Sequence, residues 1–115
     1  MDIKKLQSKL KKFSSERDWD QFHNPKNLSS ALSVEASELL EIFQWSNSGG
    51  LDEAMDPKIK KEIERELADV FNYLVRLSDV LEIDLEKVAY EKIEENQIKY
   101  PINKFKGSAK KYNHD

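Results

Sequence analysis

At 115 residues, 38% of them hydrophobic, the chain has room for one domain with a modest core. Charged residues make up 36% and there are only three glycines, which favours long solvated helices over strands joined by tight hairpins. Cysteine is absent and the net charge is −3 with scattered lysines, which excludes disulfides, thiolate sites and a broad cationic face for a nucleic-acid polymer.

The first segment repeats Ile3, Leu6, Leu10 and Phe13 at helical spacing, predicting an amphipathic helix that ends near Trp19. Asn24-Pro25 supplies a cap and a first-turn proline, so a second helix runs from Pro25 to Gln44 or Trp45. Ser46-Asn47-Ser48-Gly49-Gly50 stops it, and the stretch to Asp56 reads as a loop. Asp56-Pro57 launches the third and longest helix, through Ile63, Leu67, Val70, Leu74, Leu77 and Leu81. Asp84 caps a fourth that fades by Tyr100, because Pro101 disfavours helix in the residue before it. The Lys-rich tail, about 101–115, reads as irregular. The expected architecture is an all-α bundle of four to five helices forming one domain over 1–115. No apolar run approaches the roughly 20 residues that span a bilayer, and the N-terminus lacks a signal-peptide core, so a soluble, cytoplasmic protein is expected.

An anomaly carries the chemistry. At about 100° per residue, Leu28, Leu32, Leu39 and Phe43 fall within an arc of roughly 60°, with Glu35 about 20° from its edge and Glu38 about 60° further round. The third helix repeats the offset, with Glu66 at the margin of the stripe and Asp69 one step out. Burying clustered carboxylates without a cation costs several kcal/mol. The nearest cation on that flank, Arg76, lies almost two turns beyond Asp69. Oxygen-only ligands suit Mg²⁺ or Mn²⁺, whereas zinc or copper would recruit His or Cys. Spacing alone leaves a metal site and structural ion pairing both open. Glu41, Glu53, Glu62, Glu64, Asp79 and Glu82 have no counterpart at an apolar margin and read as solvated.

The stretches R-D-W-D-Q-F-H-N-P-K-N-L (17–28), V-E-A-S-E-L-L-E-I-F-Q-W (34–45), E-L-A-D-V-F-N-Y-L (66–74) and K-I-E-E-N-Q-I-K-Y-P (92–101) together resemble the MazG-like all-α nucleotide pyrophosphohydrolases, and most of all their dCTP pyrophosphatase subgroup. The resemblance implies Mg²⁺-dependent cleavage of a nucleoside triphosphate between its α- and β-phosphates, with Glu35, Glu38, Glu66 and Asp69 as metal ligands and a metal-associated water as nucleophile. It implies phosphate and sugar contacts by Lys92, Asn96 and Tyr73, a weaker basic contact by Lys99, and aromatic walls around the base from Trp19 and Trp45. His23 and Asn27 belong to the matched F-H-N-P-K-N turn, where they either meet substrate or position the second helix. Leu10 stands where the deoxycytidine-preferring members would carry a histidine, which leaves the base open: dCTP or its modified forms lead, with other pyrimidine or broad deoxynucleoside triphosphate specificity as alternatives. A homodimer or homotetramer is implied, and Phe71 and Val75 read as spare apolar surface for a partner. A non-catalytic helical interaction module, or a phosphohydrolase acting on another phosphoanhydride, is the competing reading.

Overall fold

The computed structural model describes residues 1–111, all helix, turn and coil with no strand among them. They form two compact units, Met1–Glu82 and the segment from Ile83 onward.

The first unit holds α1 (Ile3–Glu16), a 3₁₀ turn (Asp20–Phe22), α2 (Pro25–Ile42), the one-turn α3 (Leu51–Ala54) and the long α4 (Pro57–Val80). Each long helix begins where a side chain can satisfy its orphan amides. Asp2 accepts from the Lys5 amide, Asn24 from Asn27, and Asp56 from Lys58 and Ile59. Pro25 and Pro57 fill first-turn positions where a missing N–H is harmless. The α2–α4 pair is the principal packing contact, with α1 and α3 also resting on α4.

Leu28 of α2 and Val75 of α4 are the only apolar side chains sealed from solvent among the described residues. Each such burial is worth about 1.5–3 kcal/mol. Val75 therefore belongs to the chain's own core and is not spare surface for a partner, and Phe71 is half-buried. The reason is that α1 joins α2 in packing on α4, so more than one face of α4 is covered. Other apolar surface stays open: Leu40 on α2 is 71% exposed.

Several boundaries differ from expectation. α1 ends at Glu16, short of Trp19, because Asp18 takes a left-handed conformation (φ 56°) that breaks the helix. α2 ends at Ile42 and passes into turns. The stretch read as a loop contains α3, which starts after an extended Gly50.

The second unit holds α5 (Leu85–Lys99), capped by Asp84 onto the Lys87 amide, and the one-turn α6 (Ile102–Phe105). The tail is thus not irregular throughout. Pro101 caps α6, and Phe105 meets Tyr100 edge-on with ring centroids 4.9 Å apart. The end of the expected tail, 112–115, lies outside the described residues. No helix among the described residues is long and apolar enough to cross a membrane.

Candidate active site

The packing of α2 against α4 brings their acidic margins together. Carboxylate oxygens of Glu35, Glu38 and Glu66 all lie within 4.8 Å of one another. Glu35 and Glu66 are half-buried while Glu38 faces solvent. Glu35 Oε2 and Glu66 Oε2 are closed off from water and meet no hydrogen-bond donor. Asp69 stands outside this tight trio, near enough for its charge to act on both glutamates.

The electrostatic result is proton retention. Burial first, then contact with Glu38, with Glu66 and with the charge of Asp69, push the Glu35 carboxyl up to about 7. Glu66 is also raised, by burial and by the charges of Glu38 and Asp69, although its contact with Glu35 opposes this. No Lys or Arg forms an ion pair with any of the four acids among the described residues. Two orphaned oxygens in an oxygen-only donor set fit a hard divalent cation.

Beside the acids opens a cavity of about 360 Å³ within the first unit. Its apolar side comes from Leu10, Phe13 and Trp19, and its polar side from His23, Asn72, Tyr73 and Arg76, with Asp69 linking it to the acid cluster. Trp19 stands edge-on to Phe13 with centroids 5.7 Å apart, and the guanidinium of Arg17 sits 3.6 Å above the other ring. Arg76, only 8% exposed, donates through Nε to His23 Nδ1 at 3.1 Å and through Nη2 to Asp20 Oδ1 at 3.0 Å. Asn27 donates through Nδ2 to the Phe22 carbonyl, fastening the turn that carries His23 to the start of α2.

The two tryptophans do not share a cavity within one chain. Trp19 is 42% exposed and lines the cavity described above; Trp45 is 86% exposed and lines a separate hollow with Phe43, Ile59 and the 46–56 segment. In the second unit, Lys92 and Lys99 both pair with Glu95, at 3.2 and 3.1 Å, on the exposed face of α5. Asn96, near the end of that helix, accepts the Tyr100 amide through its carbonyl.

Three residues escaped the sequence reading. Asp20 and Asn72 carried no motif of their own, although Asn72 lies one turn beyond Asp69 and so on the same face of α4. Glu53, read as a solvated acid, instead organises the turn after α2: it accepts from the Ser46 hydroxyl and from the amides of Asn47 and Ser48. Its sequence signal was an acid a few residues after a run of orphan turn amides.

Helices that pair their acids around orphaned carboxylate oxygens, next to an aromatic-sided cavity, define an all-α protein with an oxygen-only donor set at the edge of a pocket. Comparison with known proteins supplies the family: residues 30–114 match the MazG-like family, and the chain belongs to it. It is 41% identical over 112 residues to dCTP pyrophosphatase 1 of Rattus norvegicus and 38% identical over 112 residues to that of Homo sapiens. Each alignment takes in 96% of this chain and 64% of the relative, so the chain spans a little under two thirds of the length of these curated relatives. A solved pyrophosphatase from Archaeoglobus fulgidus DSM 4304 superposes with a TM-score of 0.79 at 41% identity, covering 88% of this chain and 94% of that one.

Proposed function

We propose that the chain is a Mg²⁺-dependent nucleoside triphosphate pyrophosphohydrolase, cleaving a pyrimidine deoxynucleoside triphosphate, with dCTP the leading candidate, to the monophosphate and pyrophosphate. The observation that carries this reading is the pair of solvent-sealed, donorless oxygens on Glu35 and Glu66, in a tight trio with Glu38 and within reach of the Asp69 charge. Homology to dCTP pyrophosphatase 1 supports the substrate class.

Glu35, Glu38, Glu66 and Asp69 would hold the ion, with Mn²⁺ as a substitute. When bound, a divalent ion supplies charge neutralisation for the triphosphate and acidifies a nearby water. The chain's own residues then divide the remaining work. Trp19, Phe13 and Tyr73 offer ring faces and edges to the base, and His23 and Asn72 offer polar groups to its rim. For Lys92, Asn96 and Lys99 the support is their motif match and their chemistry, two cations and an amide suited to a polyanion. Trp45 is assigned to the base wall of an assembled oligomer, a homodimer or homotetramer, because one chain leaves it almost bare.

A panel of nucleoside triphosphates with Mg²⁺, read by separate assays for pyrophosphate and orthophosphate, tests the proposal. Stoichiometric pyrophosphate and monophosphate, lost in Glu38→Ala, is the expected result. Orthophosphate release, or no release from any triphosphate, would overturn it.

A further inference from the structure

His23 lies where three segments meet. Its Nδ1 is 3.1 Å from Arg76 Nε and 3.3 Å from Ser14 Oγ. A guanidinium does not give up its protons in a protein, so the Nε–H is a donor and Nδ1 has to be the acceptor. An imidazole nitrogen that accepts carries no proton and has one lone pair in the ring plane. The buried Ser14 hydroxyl sends its own proton to the Leu10 carbonyl, 3.0 Å away, and does not compete for that lone pair.

The ring is therefore neutral, with its proton on Nε2, because an imidazolium would set Nδ1–H against Nε–H. Arg76 is itself fixed from the other side, by Asp20 at 3.0 Å and Asp79 at 3.7 Å. Burial and the Arg76 charge lower the His23 pKa, with Asp20 opposing them. Nε2 has no hydrogen-bond partner among the described residues, and the ring lines the cavity whose other walls include Phe13, Trp19, Asn72 and Tyr73.

We propose that Arg76 is a positioning residue that locks His23 in the neutral Nε2–H tautomer, and that this Nε2–H donor reads a hydrogen-bond acceptor on the nucleobase held in the cavity. The inference rests on the reading of that cavity as the base pocket. Charge state decides which end of a nucleotide the ring can serve. A cationic imidazolium would be drawn to carboxylates or to the triphosphate. A neutral N–H donor pairs with a carbonyl oxygen or an unprotonated ring nitrogen, such as O2 of a pyrimidine or N3 of cytosine. The substrate class this selects is a nucleotide whose base presents such an acceptor to the His23 edge.

The test is histidine NMR on ¹⁵N-labelled, metal-free full-length protein at pH 7.5, with His114→Gln used to assign the second ring. The expected result is one slowly exchanging ring protonated at Nε2 alone. A ring protonated at Nδ1, or at both nitrogens, overturns the lock in the wild-type protein whether or not any Arg76 variant folds. Adding the four deoxynucleoside monophosphates in turn should move the Nε2–H resonance with at least one of them and leave Nδ1 unprotonated. A response to inorganic pyrophosphate only, or to none of these, overturns base reading. In kinetics, His23→Phe should raise KM about tenfold with kcat within about threefold, and His23→Gln, which restores a neutral donor, should recover part of the loss. A fall in kcat at unchanged KM would count against the assignment. Pyrophosphate release from dCTP and its analogues is measured on the same preparation. Turnover with a silent His23 resonance overturns base reading and leaves the enzyme reading intact; absence of turnover overturns the enzyme reading and leaves the tautomer result standing.

Discussion

Glu35 on α2 and Glu66 on α4 each turn one carboxylate oxygen into space that neither water nor a hydrogen-bond donor reaches. Two carboxylates so placed cannot both ionise without cost, and the proton kept on Glu35 up to about pH 7 expresses that cost. The sign for stability follows from linkage. Between about pH 4.5 and 7 the folded chain holds a proton at Glu35 that the unfolded chain has lost, so metal-free stability should fall as pH rises through that window. With solvent screening allowed for, the loss should be roughly 1–2 kcal/mol. Urea unfolding in EDTA across this range checks it, and a flat profile in the wild-type protein would contradict the assignment.

Glu35→Gln should abolish turnover while raising metal-free Tm, because it removes a charge from a crowded cluster and keeps the side chain's shape. Asp69→Asn should behave alike with a smaller gain, since Asp69 is exposed and outside the tight trio. Steady-state rates and thermal melts on the same samples decide the matter. Retained activity would show that the altered acid is not a ligand.

Adding Mg²⁺ should reverse the pH effect. The ion needs deprotonated ligands, so its affinity should rise from pH 6 to pH 8 and binding should release protons. Calorimetry in two buffers of different ionisation enthalpy measures the release. Buffer-independent heats would mean that no proton leaves Glu35 or Glu66.

Glu53→Ala should free the turn over 46–50 by removing the acceptor shared by Ser46, Asn47 and Ser48. About 1–2 kcal/mol of local stability should be lost, with faster amide exchange at 47 and 48 and altered fluorescence of the adjoining Trp45. Unchanged exchange at those amides would show that the turn holds itself without the carboxylate.

Glu82 follows α4 at φ 56°, a left-handed position where a side chain is strained. Glu82→Gly should therefore stabilise the chain by about 0.5–1 kcal/mol in denaturant unfolding. A loss of stability would point to an unseen role for the carboxylate.

Much of the fold could be read from punctuation. Asn24-Pro25, Asp56-Pro57 and Asp84 start helices because a capping oxygen and a fixed proline φ act locally, without help from tertiary contacts. The paired acids were visible for the same reason, since helical periodicity alone places Glu35 and Glu66 at the edge of apolar stripes. What stayed hidden depends on distant partners. The link from Arg76 to Asp20 and His23 spans more than fifty residues of sequence, so counting turns from Asp69 could rule Arg76 out of the acid cluster but could not show where it goes. Val75 looked available on a helical wheel and is buried, because a wheel does not show which neighbours cover which face.

The packing of α2 on α4 has a kinetic consequence. The principal contact of the first unit is also the contact that assembles its like charges. In a refolding chain the acids converge only as these helices dock, so the repulsion of the empty cluster should add to the folding barrier. Acid should therefore speed folding by quenching the repulsion, whereas the divalent ion, arriving after the barrier, should chiefly slow unfolding.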